Sequence, residues 1–244
     1  MGQGIFYREC LNLLSKIINS ENLYFATSSQ KIELTESASL SNSANVKMLF
    51  KEEGETEHTF QRRIQSVIEA KKITYLLSIQ YPRKVGLDLL DSVNGLAFNL
   101  HLAPLPQFKG WNAAAHIILE DFPYFGPTLH WMSSEIDDGD LCSFAYRDVT
   151  QDLTSMHILR QSRVLGLGLL RDLVNNLLEE VIPKRIPQVG ISQFYEKRDL
   201  ENFRVVTLED PPEKIIKTLR AFSVEGFPPA ILQLTPRVKI NIKL

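Results

Sequence analysis

Two side chains with useful chemistry, Asn99 and His101, stand two positions apart in Phe98-Asn99-Leu100-His101-Leu102-Ala103-Pro104-Leu105-Pro106, with Phe108-Lys109-Gly110 close behind. On a β-strand alternate side chains leave the same face, so the carboxamide and the imidazole point into one space. Pro104 and Pro106 cannot continue a central strand, which puts the pair at a strand's carboxyl end, where open α/β sheets hold their ligands. An amide can donate to an oxyanion and an imidazole can move a proton, a combination suited to acyl transfer. Alone, the two residues read first as a capping amide and a hydrogen-bonded core histidine. A second segment shifts that balance: Thr128-Leu129-His130-Trp131-Met132 runs toward Ile136-Asp137-Asp138-Gly139-Asp140. Gly139 permits a sharp turn that brings a carboxylate to the strand ends, where it would orient the imidazole.

The elements that must position these groups follow from periodicity. Helical spacing of apolar residues predicts helices over Ile5 to Ile18, Thr56 to Ala70, Leu87 to Leu90 and Asn112 to Leu119. It predicts a long helix from about Leu153 to Val181, stopped by Pro183, and a further one from about Pro211 to Phe222. Strands are expected at Leu23 to Ala26, Val46 to Phe50, Ile73 to Ile79, Leu96 to Leu100, Thr128 to Met132, Leu141 to Tyr146 and, at the end, Val238 to Leu244. The Ser-, Thr- and Asn-rich stretch from Ser28 to Asn45 reads as a loop or weakly formed segment. Alternating strands and helices argue for an α/β, Rossmann-like, mostly parallel sheet over residues 1–183. Residues 184–244 read as a small α+β appendage, too short for an independent large domain. A doubly wound sheet begins with an apolar strand before its first glycine turn and helix. Here Met1-Gly2-Gln3-Gly4 already reads as the turn, so a first strand is expected upstream; the competing reading is a fold that tolerates its loss and leaves a groove in the core.

Composition narrows the classes. At 244 residues with 44% hydrophobic and 23% charged residues, the chain can bury a full core, and its net charge of −2 gives no general attraction to nucleic acid or anionic membrane. No apolar run has the length of a membrane span and no secretory leader is visible, so cytoplasm is the expected compartment. Cys10 and Cys142 make no disulfide framework and no metal-ligand spacing. The Asp137, Asp138 and Asp140 run lacks the glutamate and spacing of a calcium loop, so no metal is expected. Gly166-Leu167-Gly168 falls inside a helical pattern with no phosphate-loop context, and His58, His116 and His157 have no partners that the sequence names.

Asn99-Leu100-His101-Leu102-Ala103-Pro104-Leu105-Pro106-Gln107-Phe108-Lys109-Gly110, followed by Asp137-Asp138-Gly139-Asp140, resembles the formyltransferases that use 10-formyltetrahydrofolate. The core of the likeness spans about residues 73–150. The resemblance implies the formyltransferase fold, no metal, and catalytic roles for Asn99, His101 and Asp137, with Asp138 and Asp140 as turn residues. It places the folate beside Ser78, Gln80, Tyr81 and Pro82 and the loop before Asp137, although Tyr81 and Pro82 also read as ordinary strand-end residues. Lys109, Gly110, Trp111 and Asn112 would shape the acceptor pocket, with a hydrophobic plug as the other reading of Trp111. His130 is expected to help pack the site.

Three acceptors compete within that family. Over residues 184–244 Lys and Arg outnumber Asp and Glu by 11 to 7, a thin basis for holding tRNA, and methionyl-tRNA formyltransferases add a sizeable basic barrel. Glycinamide ribonucleotide formyltransferases usually carry Pro directly after the catalytic His, where this chain has Leu102. The Asn-Leu-His-Leu-Ala-Pro-Leu-Pro form, Thr128-Leu129-His130, and a tail running through Leu219-Arg220-Ala221-Phe222 to Phe227-Pro228-Pro229 are most similar to enzymes acting on nucleotide-linked amino sugars. The apolar ending Ile231-Leu232-Gln233-Leu234 is compatible with a homodimer. From another class stands an inactive relative that only binds folate or sugar.

Overall fold

The computed structural model describes residues 1, 4–27 and 47–243; the expected loop at 28–45, and Val46, lie outside the described residues. The chain runs through α1 (Gly4–Ile17), β1 (Tyr24–Thr27), β2 (Lys47–Phe50), α2 (Glu57–Lys71), β3 (Leu76–Ile79), α3 (Leu87–Asp91) and β4 (Ala97–His101). It continues with β5 (Lys109–Gly110), α4 (Ala113–Leu119), β6 (Tyr124–Phe125), β7 (Thr128–Trp131), β8 (Leu141–Phe144) and β9 (Arg147–Asp148). Then come α5 (Ser155–Leu178), β10 (Phe194–Tyr195), β11 (Val205–Thr207), α6 (Pro212–Ala221), β12 (Ala230–Thr235) and β13 (Val238–Ile242). These elements gather into two units, described separately. Unit 1 is Met1–His101, Leu129–Ser143 and Leu167–Gln188; unit 2 is Leu102–Thr128, Phe144–Gly166 and Val189–Leu244.

In unit 1, Phe6, Tyr7, Cys10, Leu11 and Leu14 recur at helical spacing and form the buried face of α1. Helix α2 starts where Thr56 Oγ1 accepts from the Thr59 amide at 3.1 Å, and stops where Lys72 turns left-handed at φ 52°. Its Phe60, Ile64 and Ile68 pack with Leu76, Leu89, Leu90, Val93 and Ala97 in one core cluster, each large side chain contributing about 1.5–3 kcal/mol by burial. The sheet runs β3-β4-β7-β8, and β1-β2 forms a separate parallel pair. Strands β3 and β4 are parallel, with Ser78 opposite Asn99, so the α/β architecture brings those two strand ends side by side.

In unit 2, Phe108 packs edge-on to Phe122 (ring centroids 4.8 Å) and stacks with Tyr195 (5.7 Å), and the core continues through Ala115, Ile117, Ile158 and Phe222. Strand β10 pairs in parallel with β5, and β12 pairs in parallel with β11 and antiparallel with β13.

Two expected boundaries move. The long helix ends at Leu178, five residues before Pro183: Glu180 turns left-handed (φ 59°), its amide donating to Leu177 O at 3.2 Å and the Val181 amide to Asn176 O at 2.8 Å. That pair of hydrogen bonds caps the helix before proline is reached. The strand expected over Leu141 to Tyr146 breaks after Phe144, where the Ala145 amide turns to Pro127 O at 3.1 Å and the chain resumes as β9 against β6.

Candidate active site

Strand β4 carries the pair that opened the sequence. Ala97, Phe98 and Leu100 are buried while Asn99 and His101 are half-buried, the alternation a strand end requires if one face is apolar and the other open to chemistry. His101 Nδ1 lies 3.5 Å from Asp137 Oδ2, and Asn99 Nδ2 donates to Asp137 Oδ1 at 3.2 Å. One carboxylate therefore spans both groups, an oxygen for each. With Nδ1 turned to Asp137, the carboxylate fixes the orientation of the ring.

The turn that delivers Asp137 works differently from the sequence expectation. The left-handed residue is Asp137 itself (φ 54°), a conformation that Asp tolerates better than most side chains. Gly139 is needed for space: a Cβ there would sit 1.9 Å from the Trp131 carbonyl oxygen. Gln188 ties the turn down, its Nε2 donating to the carbonyls of Asp137 (3.0 Å) and Gly139 (2.8 Å). No sequence signal pointed to Gln188, because the contact joins positions far apart in the chain with no shared pattern.

His130 does more than fill space. Its Nδ1 lies 2.7 Å from Trp131 O, and a carbonyl can only accept, so Nδ1 carries the proton. In the neutral ring Nε2 is then an acceptor, and Asn99 Nδ2 stands 2.9 Å away as its donor. Asp137 Oδ1 lies 3.5 Å from the same Nε2. The two amide hydrogens of Asn99 are thus directed at His130 and Asp137. To donate to an oxyanion, the amide must release the longer contact, to Asp137.

A pocket of about 60 Å³ opens beside these groups, lined among others by Ser78, Tyr81, Asn99, His130, Ile136 and Asp137. Of the four residues expected along a folate, Ser78 and Tyr81 border it. Gln80 and Pro82 do not line it: Gln80 is left-handed (φ 51°) and turned toward Gly4, and Pro82 is exposed. Arg83, Lys84 and Val85 line it instead, and Lys84 Nζ crosses to Glu135 Oε1 at 2.9 Å. The loop over the pocket is held by Gln61, which donates to Lys84 O and accepts from the Gly86 amide, both at 2.8 Å, and by Tyr81, whose hydroxyl donates to Glu57.

Lys109, Gly110, Trp111 and Asn112 all belong to unit 2. Lys109 is buried, and Lys109 and Gly110 pair with Phe194 and Tyr195; a Cβ on Gly110 would lie 2.4 Å from Tyr195 O. Trp111 packs on Phe227 with ring centroids 5.2 Å apart, and Asn112 is the left-handed residue (φ 53°) leading into α4. Each has a visible part in holding unit 2 together. His116, in the same unit, is buried against the Tyr195 ring (centroids 3.8 Å), and burial pushes its imidazole down to about 4. Burial also pushes the thiols of Cys10 and Cys142 up to about 12, so neither is a nucleophile near neutrality. Among the described residues no group of three or more His, Cys, Asp or Glu could hold a metal ion.

With this geometry in view, known proteins supply a frame. The profile of the formyl transferase family matches residues 2–170. A 4-N formyltransferase from Francisella tularensis has a similar structure, with a TM-score of 0.77 at 20% identity over 97% of this chain and 93% of that one. A sugar N-formyltransferase from Shewanella sp. gives 0.74 at 17% identity over 100% and 94%. WlaRD, a sugar 3N-formyl transferase solved in the presence of dTDP and 5-N-formyl-THF, gives 0.72 at 17% over 91% and 77%. At such identities the likeness shows the shared fold.

Proposed function

The chain belongs to the formyl transferase family, and on that premise we propose that it moves a formyl group from 10-formyltetrahydrofolate to the primary amine of a nucleotide-linked amino sugar. The observation that carries the chemistry is the Asp137 carboxylate bridging Asn99 and His101. The neutral amine attacks the formyl carbon, and the carbonyl oxygen becomes an oxyanion. Asn99, released from Asp137, donates one hydrogen bond to it, and His101 donates another when protonated. The amine's proton passes to His101 and on to the departing folate nitrogen as the carbon–nitrogen bond to the folate breaks. Asp137, 3.5 Å from Nδ1, would hold the imidazole in one orientation throughout.

At about 60 Å³ the pocket lies well below the roughly 300–1,000 Å³ of ordinary ligand sites, so a bound pterin would widen it, and Lys84 and Glu135 are among the residues at its wall. Their exposed ion pair is worth about 1 kcal/mol or less, so a ligand can displace it at small cost. The amino-sugar acceptor is supported by the sugar-enzyme names among the similar structures and by the Asn-Leu-His-Leu-Ala-Pro-Leu-Pro form of the β4 segment. The test is turnover of the purified protein with 10-formyltetrahydrofolate against nucleotide-linked amino sugars, glycinamide ribonucleotide and charged initiator tRNA. Formylated product from the sugars alone is expected. Product from either other acceptor overturns the sugar assignment, and no product from any of them overturns the enzyme reading.

A further inference from the structure

Helix α2 buries a glutamine among its apolar residues. Phe60, Gln61, Ile64 and Ile68 form its buried face, and Glu57 stands one turn before Gln61. A buried amide must find partners, and those of Gln61 are mostly the backbone of a loop. Its Nε2 donates to Lys84 O at 2.8 Å and to Glu57 Oε1 at 3.3 Å, and its Oε1 accepts from the Gly86 amide at 2.8 Å. Val85, between the two backbone contacts, packs in the core cluster that holds Phe60 and Ile64. At the other end of the loop Glu57 accepts from the Tyr81 hydroxyl. Burial, and after it the Glu57 carboxylate, push the Tyr81 phenol up, so it stays a donor. Helix α2 thus ties residues 81–86 down at both ends. Tyr81, Arg83, Lys84 and Val85 form one wall of the small pocket beside Asn99 and Asp137, while neither Gln61 nor Glu57 borders it. The facing wall, residues 133–136, is knit within itself. Ser133 Oγ donates to Glu135 O at 3.1 Å and accepts from the Glu135 amide at 3.2 Å, and Glu135 meets the first wall through Lys84.

We propose that Gln61 is a positioning residue for the co-substrate: from outside the pocket it fixes the 81–86 wall in the form that receives the folate, and so sets folate affinity. The inference rests on the folate reading above and is independent of the choice of acceptor. A wall held in its bound shape before the ligand arrives removes an ordering cost from binding. The partners of Gln61 are Glu57, Lys84 and Gly86 rather than Asn99, His101 or Asp137, so its loss falls on affinity and leaves the transfer step alone. Packing does not account for the amide: an apolar side chain of the same length would fill this place on α2 and hold nothing.

The test compares the wild type with Gln61→Met, which keeps the length of the side chain and removes its hydrogen bonds. The control is Gln65→Met, one turn further along α2, where the amide donates to Glu69. Calorimetric titration with 5-formyltetrahydrofolate gives Kd, and steady-state turnover gives KM for 10-formyltetrahydrofolate and kcat. In Gln61→Met both Kd and KM should rise roughly tenfold with kcat within about twofold, and the Gly86 amide should exchange at least about tenfold faster. The control should match the wild type. Folded Gln61→Met with wild-type Kd and KM overturns the proposal, whatever its Tm. So does an equal rise in the control, or a fall in kcat at unchanged KM. Should Gln61→Met not fold, Glu57→Met removes the acceptor of the Tyr81 hydroxyl and reads the other tether. Its Kd should rise at least about threefold, and an unchanged Kd there overturns the proposal. A wild type that neither binds nor turns over the folate overturns the folate reading itself, and this inference with it.

Discussion

Unit 1 holds two histidines, His101 and His130, and unit 2 buries one, His116, and the two units treat the side chain in opposite ways. In unit 1, His101 faces a carboxylate, and His130 is held at both nitrogens by Trp131 O and Asn99. In unit 2, His116 lies against the Tyr195 ring, its Nδ1 is 3.5 Å from Glu120 Oε1, and its Nε2 is buried without a hydrogen-bond partner. The same side chain is held in one orientation where polar partners meet its nitrogens. Wrapped in aromatic surface, it is a neutral packing element. Residue type alone would have scored the three histidines alike.

Substitutions can break that contrast. Asp137→Asn should do most, lowering kcat by about 10⁴-fold with the protein still folded, the size of loss when a carboxylate orienting a catalytic imidazole becomes an amide. His101→Gln should cost about as much, roughly 10⁴-fold in kcat, read in the same steady-state assay. A loss under tenfold in either would put the two histidine environments on one footing. Gln188→Ala touches only backbone, removing the tie to the Asp137 and Gly139 carbonyls, and should lower kcat by roughly tenfold with KM for the folate little changed. His116→Phe should leave turnover within about twofold and show itself in stability instead. The folded pKa of about 4 lies below the ordinary 6.5, so between those values the unfolded chain binds a proton that the folded one refuses. Stability contributed by the neutral ring is whole above pH 6.5 and is lost as pH falls toward 4. His116→Phe should therefore flatten the decline of Tm over that window by a few degrees, roughly. An unchanged slope would mean that another group sets it.

The sequence was legible where chemistry and periodicity share a short segment. Asn99 and His101 declared their common face through alternation with Phe98 and Leu100, and the Asp137 turn was announced by its glycine. What stayed hidden depends on distance in the chain or on backbone conformation. Gln188 reaches its turn from a segment with no visible link to it. The capped end of α5 was masked by Pro183, a stronger local stop signal that the helix never reaches. His130 looked like packing because a neutral histidine's tautomer depends on which carbonyl it meets, and periodicity is silent on that. Gln80 and Pro82 follow β3 in sequence, but the left-handed backbone at Gln80 turns that side chain away from the pocket.

The 1.9 Å separation between a would-be Cβ at position 139 and the Trp131 oxygen has a practical reach for anyone engineering this chain. A saturation library there should return one survivor, since even alanine must push the neighbouring strand's backbone aside and drag the Asp137 turn with it. The place of a buried carboxylate is set here by the bulk of a single missing methyl group.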